Sequence, residues 1–170
     1  MKADRILVPL DGSELAEAAI ARAVEMAASR SFNLMLMRAA EARTLPGTNA
    51  IDAQIEAVRE AETYLASVKA QLEKQGVQKV EANVWYGPPA SAIIEAAQMY
   101  KPDLIVMSTH GRSGLGRLIF GSVAESVLRG TTVPILLIRP AGAPVERPAG
   151  SDAARPASNP EPRSKREALR

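Results

Sequence analysis

Leu104-Ile105-Val106-Met107-Ser108-Thr109-His110-Gly111 is followed, after nine intervening residues, by Gly121-Ser122, and this stretch decides the reading of the fold. Four apolar residues in a row suit a strand covered on both faces, as in a parallel sheet. The polar, glycine-bearing segment after them leads into a helical pattern that starts at Ser122. A loop of this kind between a buried strand and a helix N-terminus is suited to an anion. Backbone N–H groups can face it, and the positive end of the helix dipole favours it. The spacing is neither that of a Walker A loop nor G-x-G-x-x-G.

Working outward, three further continuous apolar runs appear: Ile6-Leu7-Val8, Leu34-Met35-Leu36-Met37 and Ile135-Leu136-Leu137-Ile138. Residues 80–86 alternate instead, with Val80, Ala82, Val84 and Tyr86 on one face and Glu81, Asn83 and Trp85 on the other. Alternation suits an edge strand with one face partly wet. Helical patterns lie between these runs. Residues 13–30 are alanine-rich. Residues 51–75 repeat apolar residues at helical spacing up to Gly76, and residues 90–100 follow Pro88-Pro89. Residues 122–129 open on Ser122-x-x-Glu125, a capping-box pattern with Ser122 as N-cap, and stop at Gly130.

The order is β-α-β-α-β-α-β-α-β. Right-handed crossovers turn it into an α/β fold with a five-stranded parallel sheet and helices on both faces. With the alternating third strand at an edge, the strand order is 3-2-1-4-5. The topological switch point then lies between strands one and four, where open α/β sheets bind ligands at the strands' carboxyl ends. The loops at that point are Pro9-Leu10-Asp11-Gly12-Ser13 and the Ser108–Ser122 segment, so pattern and topology nominate one place.

Each residue there has a functional and a structural reading. Gly111 and Gly121 would let backbone approach phosphates, or would supply turn geometry. Ser122 would bond a phosphate oxygen, cap its helix, or do both. Asp11 would accept from ribose hydroxyls, or form the Asp-Gly-Ser turn. Arg112 and Arg117 would neutralise phosphate charge, or simply be solvated. His110, with no cysteine or second histidine to share a metal, would contact phosphate from the loop or act as a base.

Composition narrows the classes. The chain of 170 residues has no cysteine and one histidine, which excludes disulfides, thiolate metal sites and a polyhistidine centre. No apolar run is long enough to cross a membrane, and no signal-peptide pattern precedes Ile6, so the expected compartment is the cytoplasm. Residues 1–139 carry 15 Lys+Arg against 15 Asp+Glu, and residues 140–170 carry 6 against 4. A neutral folded part argues against a nucleic-acid groove. Residues 140–170 hold six of the twelve prolines and, after Val145, one large aliphatic residue, Leu169, so a disordered tail is expected there. No Ser-His-Asp set, paired carboxylates or zinc spacing stands out. The sequence offers a place to bind without machinery to react.

Three segments together resemble the universal stress protein family. Arg5–Ser13 resembles its opening strand and loop. Pro102–Gly114 resembles its fourth strand and loop, and Gly121–Glu125 with Val133–Ile138 its last helix and strand. The resemblance covers about Asp4 to Arg139 and implies a Rossmann-like, adenine nucleotide alpha hydrolase-like domain over residues 1–139. Members that bind ATP are recognised by Gly-x2-Gly-x9-Gly-Ser/Thr. Here Gly111, Gly121 and Ser122 match, and Ser108 stands where the first glycine is expected. Serine is small and keeps its backbone N–H, so any effect is expected on affinity or on the geometry at one phosphate.

The resemblance implies that Asp11 lies near the ribose and the backbone at Ala39 near adenine. Gly111, Arg112, Gly121, Ser122 and Val123 would line the phosphates, bridged by Mg²⁺ or Mn²⁺ with no protein metal ligand. It extends the cofactor site to Pro9, Leu10, Met107, Ser108, His110 and Gly114. It also implies a homodimer through strand 134–138. The expected function is an ATP-binding stress-response protein with at most slow hydrolysis. The alternative is a stress protein that binds no nucleotide and works through protein contacts. An ATP-dependent activating enzyme and a flavodoxin-like carrier share the topology.

Overall fold

Nine elements follow one another in the computed structural model, which describes residues 3–27, 32–42, 47, 49–109 and 121–139. They are β1 (Arg5–Pro9), α1 (Glu14–Met26), β2 (Asn33–Ala40), α2 (Ala50–Lys74), β3 (Val80–Tyr86), α3 (Pro89–Tyr100), β4 (Leu104–Ser108), α4 (Ser122–Gly130) and β5 (Ile135–Ile138). The five strands form one sheet in the order β3-β2-β1-β4-β5, every neighbouring pair parallel. This is the architecture expected from the apolar runs, with the alternating strand at one edge.

Strand side chains alternate between two cores. Ile6, Val8, Leu34, Leu36, Leu104 and Val106 point to the side of α1 and α2, where Ala19, Ala23, Leu65 and Leu72 meet them. Leu7, Met35, Met37, Ile105 and Met107 point to the side of α3 and α4, against Ile93, Ala96, Ala97 and Val127. Burying each large aliphatic side chain contributes about 1.5–3 kcal/mol. The alanines let α1 and α3 lie close to the sheet. On edge strand β3, Ala82 and Val84 pack on the first core, whereas Trp85 packs on the second, with its ring edge-on to Tyr100 at 6.0 Å.

The helix ends differ in part from the sequence reading. α2 ends as the glycine implies. Gly76 has φ +91°, its N–H reaches the Glu73 carbonyl, and the Val77 N–H reaches that of Leu72, the paired bonds of a Schellman motif. Within the described residues α1 ends at Met26, with Ala27 already extended, rather than running to residue 30.

α4 departs at both ends. Its N-cap is Gly121, not Ser122, which is the first helical residue, and no side chain caps it. The reason is a close backbone contact. The Gly121 N–H donates to the Thr109 carbonyl at 2.8 Å, and a Cβ on residue 121 would sit 2.9 Å from that oxygen. Glu125 therefore pairs with Arg129 at 2.7 Å instead of completing a capping box. Gly130 lies inside the helix, with Thr131 as C-cap. It leaves room for Ile94 of α3, whose Cδ1 occupies the place a Cβ would take.

Candidate functional site

The sheet opens where its topology reverses. β1 pairs with β2 along five residues, Arg5 to Pro9, but with β4 only at Ile6 and Leu7. Beyond Leu7 the carboxyl ends of β1 and β4 have no paired residues between them, and a crevice at this place is the usual ligand position in open α/β sheets. Extending the two registers puts Asp11 level with Ala39 of β2 on one side and Thr109 on the other. The chain therefore brings Pro9, Leu10, Asp11, Ala39, Ser108, Gly121 and Ser122 to one end of the sheet. His110, Gly111, Arg112, Gly114 and Arg117 lie outside the described residues, as does the segment 140–170.

The first wall is the β1–α1 turn. Asp11 accepts from the Ser13 N–H at 3.0 Å and the Ser13 hydroxyl at 2.6 Å. Ser13 in turn caps α1, accepting from the Ala16 N–H at 3.2 Å. The turn between them needs glycine, since Gly12 has φ +85°. The carboxylate is thus held at the strand exit, as expected. Leu10 is placed differently from a surface contact. Its side chain is buried in the core, and its N–H donates to the Met37 carbonyl at 2.8 Å. Met107 is likewise a core side chain.

The second wall is the exit of β4. Ser108 is the last residue of the strand, level with Ile138, and the Thr109 N–H donates to the Ile138 carbonyl at 2.9 Å. Lys101 is the sole described non-glycine residue with positive φ, so Ser108 needs no glycine-only conformation at this point. The Thr109–Gly121 hydrogen bond then joins the two ends of the intervening loop. The α4 N-terminus, with Ser122 exposed and Val123 half-buried, opens from that junction.

Sequence reasoning missed a polar cluster beside Asp11. Arg38 sits on buried β2 and is only 8% exposed. It pairs with Glu60 of α2 at 2.7 Å, and its guanidinium carbon lies 5.0 Å from the centre of the Tyr64 ring. The Tyr64 hydroxyl donates to Glu17 of α1 at 2.9 Å. Burial, and then this hydrogen bond, push that hydroxyl well above the ordinary tyrosine range, so it remains a donor at neutral pH. Asp11, Gly12, Arg38, Arg59, Glu60 and Tyr64 border a groove of about 480 Å³. One signal was legible: a single charged residue ends the run Leu34–Met37, and a cation in a buried strand requires partners.

A second hollow of about 510 Å³, bordered by Ile51, Ile55, Val58 and Tyr86, is apolar and lies at the β3 edge, next to the first groove through Arg59. Among the described residues no group of three or more His, Cys, Asp or Glu is arranged to hold a metal ion. No helix among them is long and apolar enough to cross a membrane.

The family model described as the universal stress protein family matches residues 2–139. The chain belongs to that family. A universal stress protein of Methanocaldococcus jannaschii is 32% identical over 139 residues, covering 79% of this chain and 81% of that protein. The solved universal stress protein UspA of Lactobacillus plantarum superposes with a TM-score of 0.65 at 25% identity, over 82% of this chain and 99% of that one. Another solved universal stress protein, in complex with cAMP, gives 0.62 at 26% identity, over 81% and 98%.

Proposed function

We propose that the chain is an ATP-binding universal stress protein whose nucleotide lies across the crevice between β1 and β4. The observation that carries this reading is the crevice itself. β1 and β4 pair at two residues only, and the gap is walled by a held carboxylate on one side and a helix N-terminus on the other. A family member with bound cAMP supports a nucleotide as the ligand class. Asp11 would accept from ribose hydroxyls, and the backbone beside Ala39 would meet the adenine edge. The N–H groups at Gly121, Ser122 and Val123, which lie in the first turn of α4, suit phosphate oxygens.

His110, Gly111, Arg112 and Gly114 belong to the same proposal through the loop that Thr109 and Gly121 close. Mg²⁺ or Mn²⁺ would be held by the phosphates and would neutralise their charge. The residues named hold and orient a nucleotide. Among the described residues named here none is a base aimed at an attacking water, and the proposal includes at most slow hydrolysis. The four residues of β5 are all apolar and half-buried, which suits pairing with a second copy along strand 134–138.

Calorimetry with ATP and Mg²⁺, together with identification of nucleotide released from freshly purified protein, tests the reading. Saturable binding at a 1:1 ratio is expected. Absence of both heat and co-purified nucleotide would overturn it in favour of a family member that works through protein contacts. One observation already gives that second reading a footing: Gly121 is required by its contact with Thr109 whether or not a phosphate is present.

A further inference from the structure

Net stability alone is a weak account of Arg38. It is the one charged residue in a strand otherwise apolar beyond Asn33, and its partner Glu60 has a side chain 66% exposed. Pairs of this kind contribute little net stability, and an apolar residue in such a position is often as stable. What Arg38 faces is the Asp11–Ser13 turn. A Cβ built on Gly12 would lie 3.4 Å from its Cζ, 3.4 Å from Nη1 and 3.5 Å from Nη2. Three nearly equal distances mean that the flat face of the guanidinium lies against that turn.

The contacts close a ring. Asp11 holds Ser13, Ser13 caps α1, and Glu17 of α1 accepts from Tyr64. The Tyr64 ring meets the guanidinium, which Glu60 also holds, and the guanidinium backs Gly12. We propose that Arg38 is the positioning residue of the ribose end of the site: its guanidinium, oriented by Glu60 and Tyr64, holds the Asp11–Ser13 turn and so fixes the direction in which the Asp11 carboxylate faces the ribose. This rests on the nucleotide reading above. A planar, face-presenting cation is required, which lysine cannot replace.

The test compares the full chain with Arg38→Met and Arg38→Lys in two measurements. The first, without nucleotide, is amide hydrogen exchange at Ser13, whose N–H is bonded to Asp11. Exchange there is expected about tenfold faster in both variants, with the interior amides of α1 at Ile20 and Ala23 unchanged. The second is the affinity ratio of ATP to 2′,3′-dideoxy-ATP. The wild type is expected to favour ATP about tenfold, the worth of one hydrogen bond to a carboxylate. That preference should fall toward unity in both Arg38→Met and Arg38→Lys. A purely structural role would lower both affinities equally and leave the ratio alone. An unchanged ratio, or unchanged Ser13 exchange, overturns the proposal. A wild type that binds neither nucleotide defeats the nucleotide reading and with it the ribose role. Unchanged ATP binding with a tenfold wild-type preference kept in both variants defeats only the inference about Arg38.

Discussion

The two walls of the crevice are built on different principles. On the β1–β2 side the fixing groups are side chains: Asp11 holds Ser13, Glu60 and Tyr64 hold Arg38, and Tyr64 is bonded to Glu17. On the β4–α4 side, Ser108, Thr109 and Gly121 are fixed by main chain: Thr109 to Ile138, Gly121 to Thr109. A side-chain wall can be tuned residue by residue, because each group can be exchanged without moving the chain. A main-chain wall tolerates most side chains and fails where one cannot fit. Damage should therefore be concentrated at Gly121 on one side and graded over several residues on the other.

The largest effect is expected at that single point. Gly121→Ala puts a methyl group 2.9 Å from the Thr109 carbonyl oxygen, a backbone atom that cannot swing away. The loss is about 2 kcal/mol of stability, read by denaturant unfolding, and ATP binding should weaken with it. A variant as stable as the wild type would mean that the wall is softer than its geometry implies.

Ser122→Asp separates the fold from the ligand. Ser122 is exposed at the first position of α4, where a carboxylate favours the helix dipole by about 0.5 kcal/mol. The same carboxylate repels a phosphate, so ATP affinity should fall about tenfold while the melting temperature holds or rises. Equal ATP affinity in variant and wild type would move the phosphates away from α4. Across the crevice, Gly12→Ala forces alanine into φ +85° and into contact with Arg38. A cost of about 1 kcal/mol is expected, measured by thermal unfolding.

The fold was legible because apolar runs and helical periodicity are local signals. Leu104–Met107 and Ile135–Ile138 mark strands wherever they occur, and the alternation at Val80–Tyr86 marks an edge. What was not legible was contact between distant residues. Ser122 carries the chemistry of an N-cap, but Gly121 is the cap because the backbone must come back to Thr109, twelve positions earlier. Gly130 resembles a helix stop, yet it makes room for Ile94 on another helix. Arg38, Tyr64 and Glu17 lie on three elements and form a cluster only once α1 and α2 pack on one face of the sheet over β2. Asp11 could be nominated because the topology alone places the exit of β1 at the switch point.

The smallest effect is also the one that best separates the two walls, because among the described residues only one of them responds to alkaline pH. Ser108, Thr109, Gly121 and Ser122 carry no group that titrates below pH 12, so the deficit of Gly121→Ala should not change with alkaline pH. Tyr64 is different. Burial and the bond to Glu17 raise its folded-state value above that of the unfolded chain, which is about 10. A raised value means that the contribution is fully present below about pH 10 and is lost as pH rises above it, since the unfolded chain then releases the proton first. Tyr64→Phe keeps the ring facing Arg38 and removes the hydroxyl. At neutral pH it should cost under about 1 kcal/mol, the worth of one half-exposed hydrogen bond. Above about pH 10 the wild type should lose stability faster than the variant, so the gap between them narrows. Urea unfolding of both proteins between about pH 7 and 11 measures it, and a gap that stays constant over that range would remove Tyr64 from the network that holds the Asp11 wall.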